Sequence, residues 1–219
     1  MIKNSFILPI LLLVIGTYAQ DDNLSRKKSY FGVRAGVNFL KGSNYENHTS
    51  NLGIGYQISG LVNLPMGKSN FSFQPELVFI KVNSNQTDLD LGYSNVQITR
   101  IKEYSSNILL IPLNFRYLIK NKVGIEIGPS LGYRFSGKSI QKEIIYEYST
   151  GNTSSYTYEN NSESTRSFTG LLNFGTDYNI TKKVNIGFKY YFAIGGFENS
   201  NKIMENSVFS FNLGYNFIK

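Results

Sequence analysis

The chain has 219 residues, a length that suits one domain, and it contains no Cys and no Trp but 16 Tyr and 16 Phe. Charged residues make up 17% of it, below the roughly 25% usual for soluble domains, and the formal net charge is +7. Without Cys, the chain has no disulfides, thiolate metal sites, thiol nucleophiles or lipid attachment at an N-terminal cysteine.

Residues 1–19 have the pattern of a cleavable signal peptide. Lys3 supplies the positive start, and an apolar run at 6–15 follows it. Thr17 and Ala19 are small residues at the spacing that signal peptidase requires, so we predict cleavage after Ala19. The alternative, an uncleaved membrane anchor, is disfavoured because the run is short and is broken by a proline.

Strict alternation of apolar and polar residues dominates the rest of the chain, which indicates strands with two different environments. The alternating segments are 30–39, 52–64, 71–81, 107–118, 123–136, 167–178, 184–194 and 208–217. Ten such residues rise about 33 Å, and a tilt near 40° projects this to about 25 Å, the apolar height of an outer-membrane barrel. We therefore predict an all-β fold, an eight-stranded antiparallel up-and-down transmembrane β-barrel, as one domain at 20–219.

The connections between these segments alternate in length. Those at 65–70, 119–122 and 179–183 are short, and those at 40–51, 83–106, 137–166 and 195–207 are longer. Short turns on the periplasmic side and long loops outside are the outer-membrane arrangement. Within the longest connection, 140–148 is strand-like and 154–159 can pair back onto it, which predicts a hairpin above the membrane. The polar segment 149–166 is otherwise predicted to be a mobile loop.

The composition of the two faces predicts which of them meets lipid. In the first segment one face carries Phe31, Val33, Ala35, Val37 and Phe39. The other carries Gly32, Arg34, Gly36 and Asn38. An Arg or Lys that faces lipid near the midplane costs roughly 2–4 kcal/mol, so the charged face must line the lumen. We expect Ile125→Arg to impair insertion more than Gly128→Ser. A soluble, secreted lipocalin-like ligand binder also alternates, with its apolar face inward, and is the alternative.

Charged residues on the polar face form the candidate site. They are Arg34, Glu76, Arg116, Glu126, Arg134, Asp177 and Lys189, with Gln57, Gln74, Asn114 and Asn173 beside them. We expect paired, hydrogen-bonded contacts among them, because an unpaired charge in a confined lumen is costly. An eight-stranded barrel is only wide enough for its own side chains, so this network is predicted to be a structural plug. A narrow outer-membrane channel is the alternative.

Four stretches resemble one known family. They are FGVRAGVN at 31–38, ILLIPLNFRY at 108–117, IEIGPSLGYRF at 125–135 and FNLGYNF at 211–217. Together they resemble the PorT-like outer-membrane β-barrel proteins of Bacteroidota, over about residues 30–217. The resemblance implies location in the cell outer membrane and insertion by the barrel-assembly machinery. One namesake takes part in protein secretion and gliding, so a secretion-associated barrel is a further alternative.

Catalytic motifs are missing from the sequence. The one histidine, His48, lies in the polar stretch YENHTSN, and no GxSxG, HExxH, phosphate loop or calcium loop is present. We predict a non-enzymatic barrel with a structural or loop-mediated binding role and without metal or cofactor. An enzyme that uses His48 is the remote alternative.

Lysines cluster in the short turns, at Lys68, Lys120, Lys122, Lys182 and Lys183. They are interpreted as solvated turn residues or as contacts to inner-leaflet headgroups. Nucleic-acid binding is disfavoured because these cations follow a membrane rim and not one groove. The expected partners are outer-membrane lipid and an unidentified extracellular or periplasmic protein.

Overall fold

The computed structural model describes residues 29–40, 48–67, 69–90, 96–160, 167–196 and 207–217. Ten strands occur in these ranges. They are β1 (Tyr30–Leu40), β2 (His48–Asn51), β3 (Gly53–Pro65), β4 (Phe71–Asp90), β5 (Val96–Ile119), β6 (Val123–Glu147), β7 (Thr153–Asn160), β8 (Ser167–Asn179), β9 (Val184–Gly196) and β10 (Val208–Phe217). Within the same ranges, no helix is long and apolar enough to cross a membrane. The predicted signal peptide at 1–19 lies outside them.

Eight of the strands close into a ring in the order β1-β3-β4-β5-β6-β8-β9-β10, and β10 pairs with β1. Every neighbouring pair is antiparallel. At the closing seam Phe31 is opposite Phe217 and Phe39 is opposite Phe209. Seven of the eight predicted segments begin within one residue of a barrel strand, and the eighth, 107–118, is the barrel part of β5, which itself begins at Val96. The predicted eight-stranded up-and-down barrel is therefore confirmed.

The two faces of the barrel are inverted relative to a soluble protein. Ile58, Ile127 and Leu213 point outward and are 58%, 56% and 59% exposed, whereas Asn114 and Glu126 point inward and are 0% and 1% exposed. Water-soluble proteins bury apolar side chains and leave charges outside. The apolar outer surface therefore faces lipid, which is the opposite of a lipocalin-like arrangement.

Three neighbouring strands extend far beyond the barrel. β4, β5 and β6 have 20, 24 and 25 residues, against 11 in β1. β2 pairs with the far part of β4, and β7 pairs with the far part of β6. The result is a projecting sheet in the order β2-β4-β5-β6-β7, formed by β2, β7 and residues 83–90, 96–107 and 136–147.

The projecting sheet corrects one sequence expectation and confirms another. The connection at 83–106, expected to be a loop, is mostly strand, with 91–95 outside the described residues. Where 154–159 was expected to pair back, 153–160 forms β7, and 161–166 lies outside the described residues. The predicted hairpin is present, and the Glu147 backbone N–H donates to the Asn152 carbonyl at 3.0 Å. Outside the membrane neither face of a strand has to be apolar, so the alternation disappears although the ladder continues.

A β-bulge separates the barrel from the projecting sheet. Ile108 is opposite Arg134 and the preceding Asn107 is opposite Ser136, which leaves Phe135 as the extra residue on β6. An extra residue reverses the side of the sheet to which all later side chains point. In the barrel the even-numbered residues of β6 face inward, and beyond Phe135 the odd-numbered ones do.

The lumen as the candidate functional site

Alternation along six barrel strands brings six of the seven predicted charged residues together inside the barrel. All six are at most 5% exposed. They are Arg34, Glu76, Arg116, Glu126, Asp177 and Lys189. We call this group the ionic cluster.

Glu126 on β6 lies at the centre of the ionic cluster. Its Oε1 accepts a hydrogen bond from Arg34 Nη2 at 2.7 Å and another from Gln74 Nε2 at 2.9 Å. Its Oε2 lies 3.2 Å from Lys189 Nζ and 3.5 Å from Asn114 Nδ2. Two cations and two amides from four different strands therefore converge on one carboxylate.

Two further carboxylates complete the charge balance. Glu76 accepts hydrogen bonds from Ser59 Oγ at 2.5 Å and from Lys189 Nζ, and lies 3.4 Å from Arg34 Nη1. Asp177 binds Arg116 in a bidentate pair, with Nε–Oδ1 and Nη2–Oδ2 distances of 3.0 and 2.7 Å. Each charge has opposite-charge partners, as buried charges require.

The predicted amide residues divide between two settings. Gln74 and Asn114 reach Glu126 as described. Asn173 Nδ2 donates to the Gly128 carbonyl at 2.6 Å and to Ser130 Oγ at 2.7 Å, and Gln57 donates to Asn212. Two of the four thus contact the ionic cluster. Of the other two, Asn173 links the neighbouring strands β8 and β6, and Gln57 reaches from β3 past β1 to β10.

Arg134 is buried in the lumen but stands apart from the ionic cluster. It is 1% exposed and lies opposite Ile108 and Ser167. It follows Glu126 by eight residues on the same strand, which corresponds to about 27 Å along β6. The sequence assigns Arg134 to the correct face, but the expected grouping with Glu126 and Asp177 ignores its height along the strand.

A second region of the lumen is apolar and was not predicted. Its buried side chains form one contiguous group: Leu40, Val78, Ile80, Val82, Ile108, Leu110, Leu171, Tyr191 and Val208. On the strands that run from the short turns toward the loops, these residues follow the charged ones, as Val78 follows Glu76. On the strands that run back they precede them, as Leu110 precedes Arg116. This apolar layer therefore lies on the loop side of the ionic cluster.

The apolar layer left a signal in the sequence. Where both faces of a strand are apolar, the alternation gives way to continuous apolar runs, as in LVFI at 77–80 and ILLI at 108–111. Strands buried on both faces read as such runs. These two runs contain Val78, Ile80, Ile108 and Leu110, which are four of the nine members of the layer.

Metal-binding geometry is absent from the described residues. No group of three His, Cys, Asp or Glu side chains among them is placed to hold a metal ion. His48 was expected in a loop, but its backbone begins β2 opposite Asp88. The charged groups of the lumen are engaged with one another, which is the geometry of a structural network.

An apolar outer surface around eight closed strands with polar side chains inside defines a transmembrane β-barrel of the smallest kind. The family model of the outer membrane protein beta-barrel domain matches residues 18–199. The chain therefore belongs to the outer membrane protein beta-barrel domain family, and its location is the outer membrane.

Solved structures of outer-membrane barrels are similar in fold. Ail, the attachment invasion locus protein of Yersinia pestis, is 13% identical over 86% of this chain and 97% of its own, with a TM-score of 0.38. Neisserial surface protein A is 14% identical over 87% and 98%, with a TM-score of 0.35. OprG from Pseudomonas aeruginosa is 12% identical over 90% and 100%, with a TM-score of 0.39. Similarity at this level carries no argument about function, and no curated protein matches the chain.

Proposed function

We propose that this protein is a closed, non-enzymatic outer-membrane barrel that displays its projecting sheet for binding outside the cell. The observation that carries the proposal is the burial of two layers of side chains in the lumen beneath that sheet. The ionic cluster and the apolar layer occupy successive heights of the barrel, and their side chains are almost completely buried. A barrel with no open path acts through the surface that it presents.

Two layers of opposite chemistry support closure of the lumen. The ionic cluster holds three cations and three anions in mutual contact, so a passing ion would have to break those pairs. Most side chains of the apolar layer give an ion no polar group to replace its water, and an isolated charge in such surroundings is costly. The narrow channel is therefore the less favoured function.

The projecting sheet has the properties of a binding surface. It exposes four tyrosines, Tyr146, Tyr148, Tyr156 and Tyr158, and tyrosine supplies large contact area at low conformational cost. The sequence of the outermost strand, β7, contains neither Pro nor Lys, the residues that commonly protect an edge strand from pairing. An extended segment of a partner protein can add to such an edge through main-chain hydrogen bonds.

Assignment to a narrower family within the outer-membrane barrels rests on sequence motifs. We infer membership of the PorT-like proteins of Bacteroidota from the motifs at 31–38, 108–117, 125–135 and 211–217. That membership implies insertion by the barrel-assembly machinery and, as the alternative role, participation in protein secretion. The pattern at 1–19 supports export through a cleaved signal peptide.

A trimmed barrel tests the proposal. In this variant residues 84–105 and 138–160 are each replaced by a short Gly-Ser linker. The change removes β7 and nearly all that β4, β5 and β6 contribute to the projecting sheet, and it leaves β2 and the ring of eight strands. We expect the trimmed variant to insert, to show heat-modifiable mobility in SDS and to remain non-conducting, because the plug lies within the barrel. A photo-crosslinking residue at Tyr156 of the full chain should give a crosslinked partner in intact cells, and one at the lipid-facing Ile127 should not.

Two results would contradict the proposal. Failure of the trimmed variant to form a heat-modifiable barrel would make the projecting sheet part of the barrel's own stability. Equal protein crosslinking from Ile127 and Tyr156 would show that the projecting sheet is not a selective binding surface.

A further inference from the structure

An apolar groove crosses the outer surface of the barrel on the strands around the closing seam. It measures about 620 Å³. Its lining includes Ala35, Val123, Thr176, Tyr178, Ile186 and Phe211. Ala35 and Thr176 are small, and larger outward residues such as Tyr178 and Phe211 flank them. This groove lies on the lipid side of the wall and is separate from the filled lumen.

The groove reaches the short-turn end of the barrel. Val123 is the first residue of β6, Tyr178 is the last but one of β8, and Ile186 is the third of β9. In outer-membrane barrels the short turns face the periplasm. The groove therefore opens in the inner leaflet, which is the phospholipid leaflet of an outer membrane.

A cluster of lysines stands at that opening. Lys122 immediately precedes Val123, and Lys182 and Lys183 immediately precede β9, and all three are exposed. Backbone hydrogen bonds fix the two turns to neighbouring strands: Asn179 N donates to the Lys122 carbonyl at 2.8 Å, and Asn216 N donates to the Lys183 carbonyl at 2.7 Å. Neither turn, at 119–122 or 179–183, contains an acidic residue. The rim above the groove is thus positively charged and held in place.

We propose that this groove binds one anionic glycerophospholipid of the inner leaflet. An acyl chain occupies the groove, and the phosphate headgroup contacts Lys122, Lys182 and Lys183. Basic pockets beside apolar membrane surface are the usual sites for such lipids. The lysines also select this occupant over a second copy of the chain, because a symmetric dimer on this face would bring two lysine clusters together.

Native mass spectrometry of the delipidated full chain tests the site. The refolded protein is offered dioleoyl phosphatidylglycerol and dioleoyl phosphatidylcholine at equal concentrations. We expect a one-to-one adduct with the anionic lipid. Replacing Lys122, Lys182 and Lys183 together by Gln should weaken that adduct about a hundredfold, whereas Gln at Lys102, Lys138 and Lys142, at the opposite end, should leave it unchanged.

A second pair of variants tests the groove itself. Ala35→Phe fills it and should remove the adduct. Val33→Phe adds the same ring two residues away on the same lipid face, outside the groove, and should retain the adduct. Heat-modifiable mobility of each variant shows that the barrel has folded.

Three outcomes would overturn the proposal. They are equal binding of both lipids, an adduct that survives both the lysine replacements and Ala35→Phe, and a dimer that Ala35→Phe abolishes. The last of these would assign the groove to a second copy of the chain.

Discussion

The ionic cluster and the apolar layer fill the same lumen by different means. In the ionic cluster every charged group depends on partners from other strands, as Glu126 depends on Arg34 and Lys189. In the apolar layer stability comes from packing, and Val78 and Tyr191 are both completely buried. Loss of one side chain from the ionic cluster should therefore leave a buried charge without its partner. Loss of one side chain from the apolar layer should only open a cavity.

The two regions also differ in how readily the sequence predicts them. A charge is excluded from the lipid face, so its side of the strand follows from sequence. An apolar residue is accepted by lipid and by the lumen alike, so its side follows only from the positions around it. The difference shows that a barrel sequence identifies the polar parts of its lumen more readily than the apolar parts.

The largest effect is expected from Glu126→Ala. This change leaves Arg34 and Lys189 without their shared carboxylate in a buried site, which costs about 3–5 kcal/mol. Urea unfolding of the barrel in lipid vesicles measures it. The control, Glu159→Ala, breaks an exposed pair with Lys138 and should cost less than about 1 kcal/mol. Similar losses for both variants would mean that the ionic cluster contributes no more than a surface pair.

A smaller effect is expected from Ile80→Ala in the apolar layer. Truncating a buried Ile removes contacts and leaves a cavity, so the free energy of unfolding should fall by about 2 kcal/mol or more. Ile58 faces lipid, and its truncation leaves no enclosed cavity. If Ile58→Ala destabilises the barrel as much as Ile80→Ala does, the apolar layer is not a packed core.

Gly128→Ser tests how closely the backbones of neighbouring strands approach each other inside the barrel. A Cβ on Gly128 would collide with the Leu113 carbonyl of the neighbouring strand. Gly187 also faces the lumen, but a Cβ there would be 3.3 Å from the Thr176 carbonyl. We therefore expect Gly128→Ser to lower the yield of heat-modifiable barrel more than Gly187→Ser. Equal yields would show that the strands near Gly128 can move apart at little cost.

The smallest effect is expected from Tyr191→Phe. The hydroxyl of Tyr191 has no hydrogen-bond partner among the described residues, so its removal should change the free energy of unfolding by less than about 0.5 kcal/mol. Tyr191→Ala should cost about 3 kcal/mol, because the ring packs within the apolar layer. A large loss for Tyr191→Phe would place this side chain in the polar network instead.

Much of the barrel was predictable from sequence because lipid imposes a strict pattern. The eight segments, their order and the inward face of the charged residues all follow from alternation. The alternation of apolar and polar residues ends where the strands leave the membrane. Residues 83–90 and 96–106 lie beyond the membrane, so their strands carry no alternation and were expected to be loops.

Positions along the strands were harder to predict than faces. Arg134 was expected beside Glu126 and Asp177, but the height of a residue depends on register and shear, which alternation does not contain. The close approach of Leu113 to Gly128 is likewise a property of paired backbones. For this reason the structure predicts a cost for Ser at Gly128 that the small size of serine does not suggest. The comparison with Ile125→Arg stays a prediction.

Closure of the lumen is the central claim, and single-channel recording tests it most directly. The full chain, refolded and inserted into planar lipid bilayers, should give no steady conductance steps above the bilayer baseline, because the ionic cluster and the apolar layer fill successive heights of the barrel. Steady, reproducible single-channel currents from the unmutated protein would contradict the account and make the protein a narrow channel.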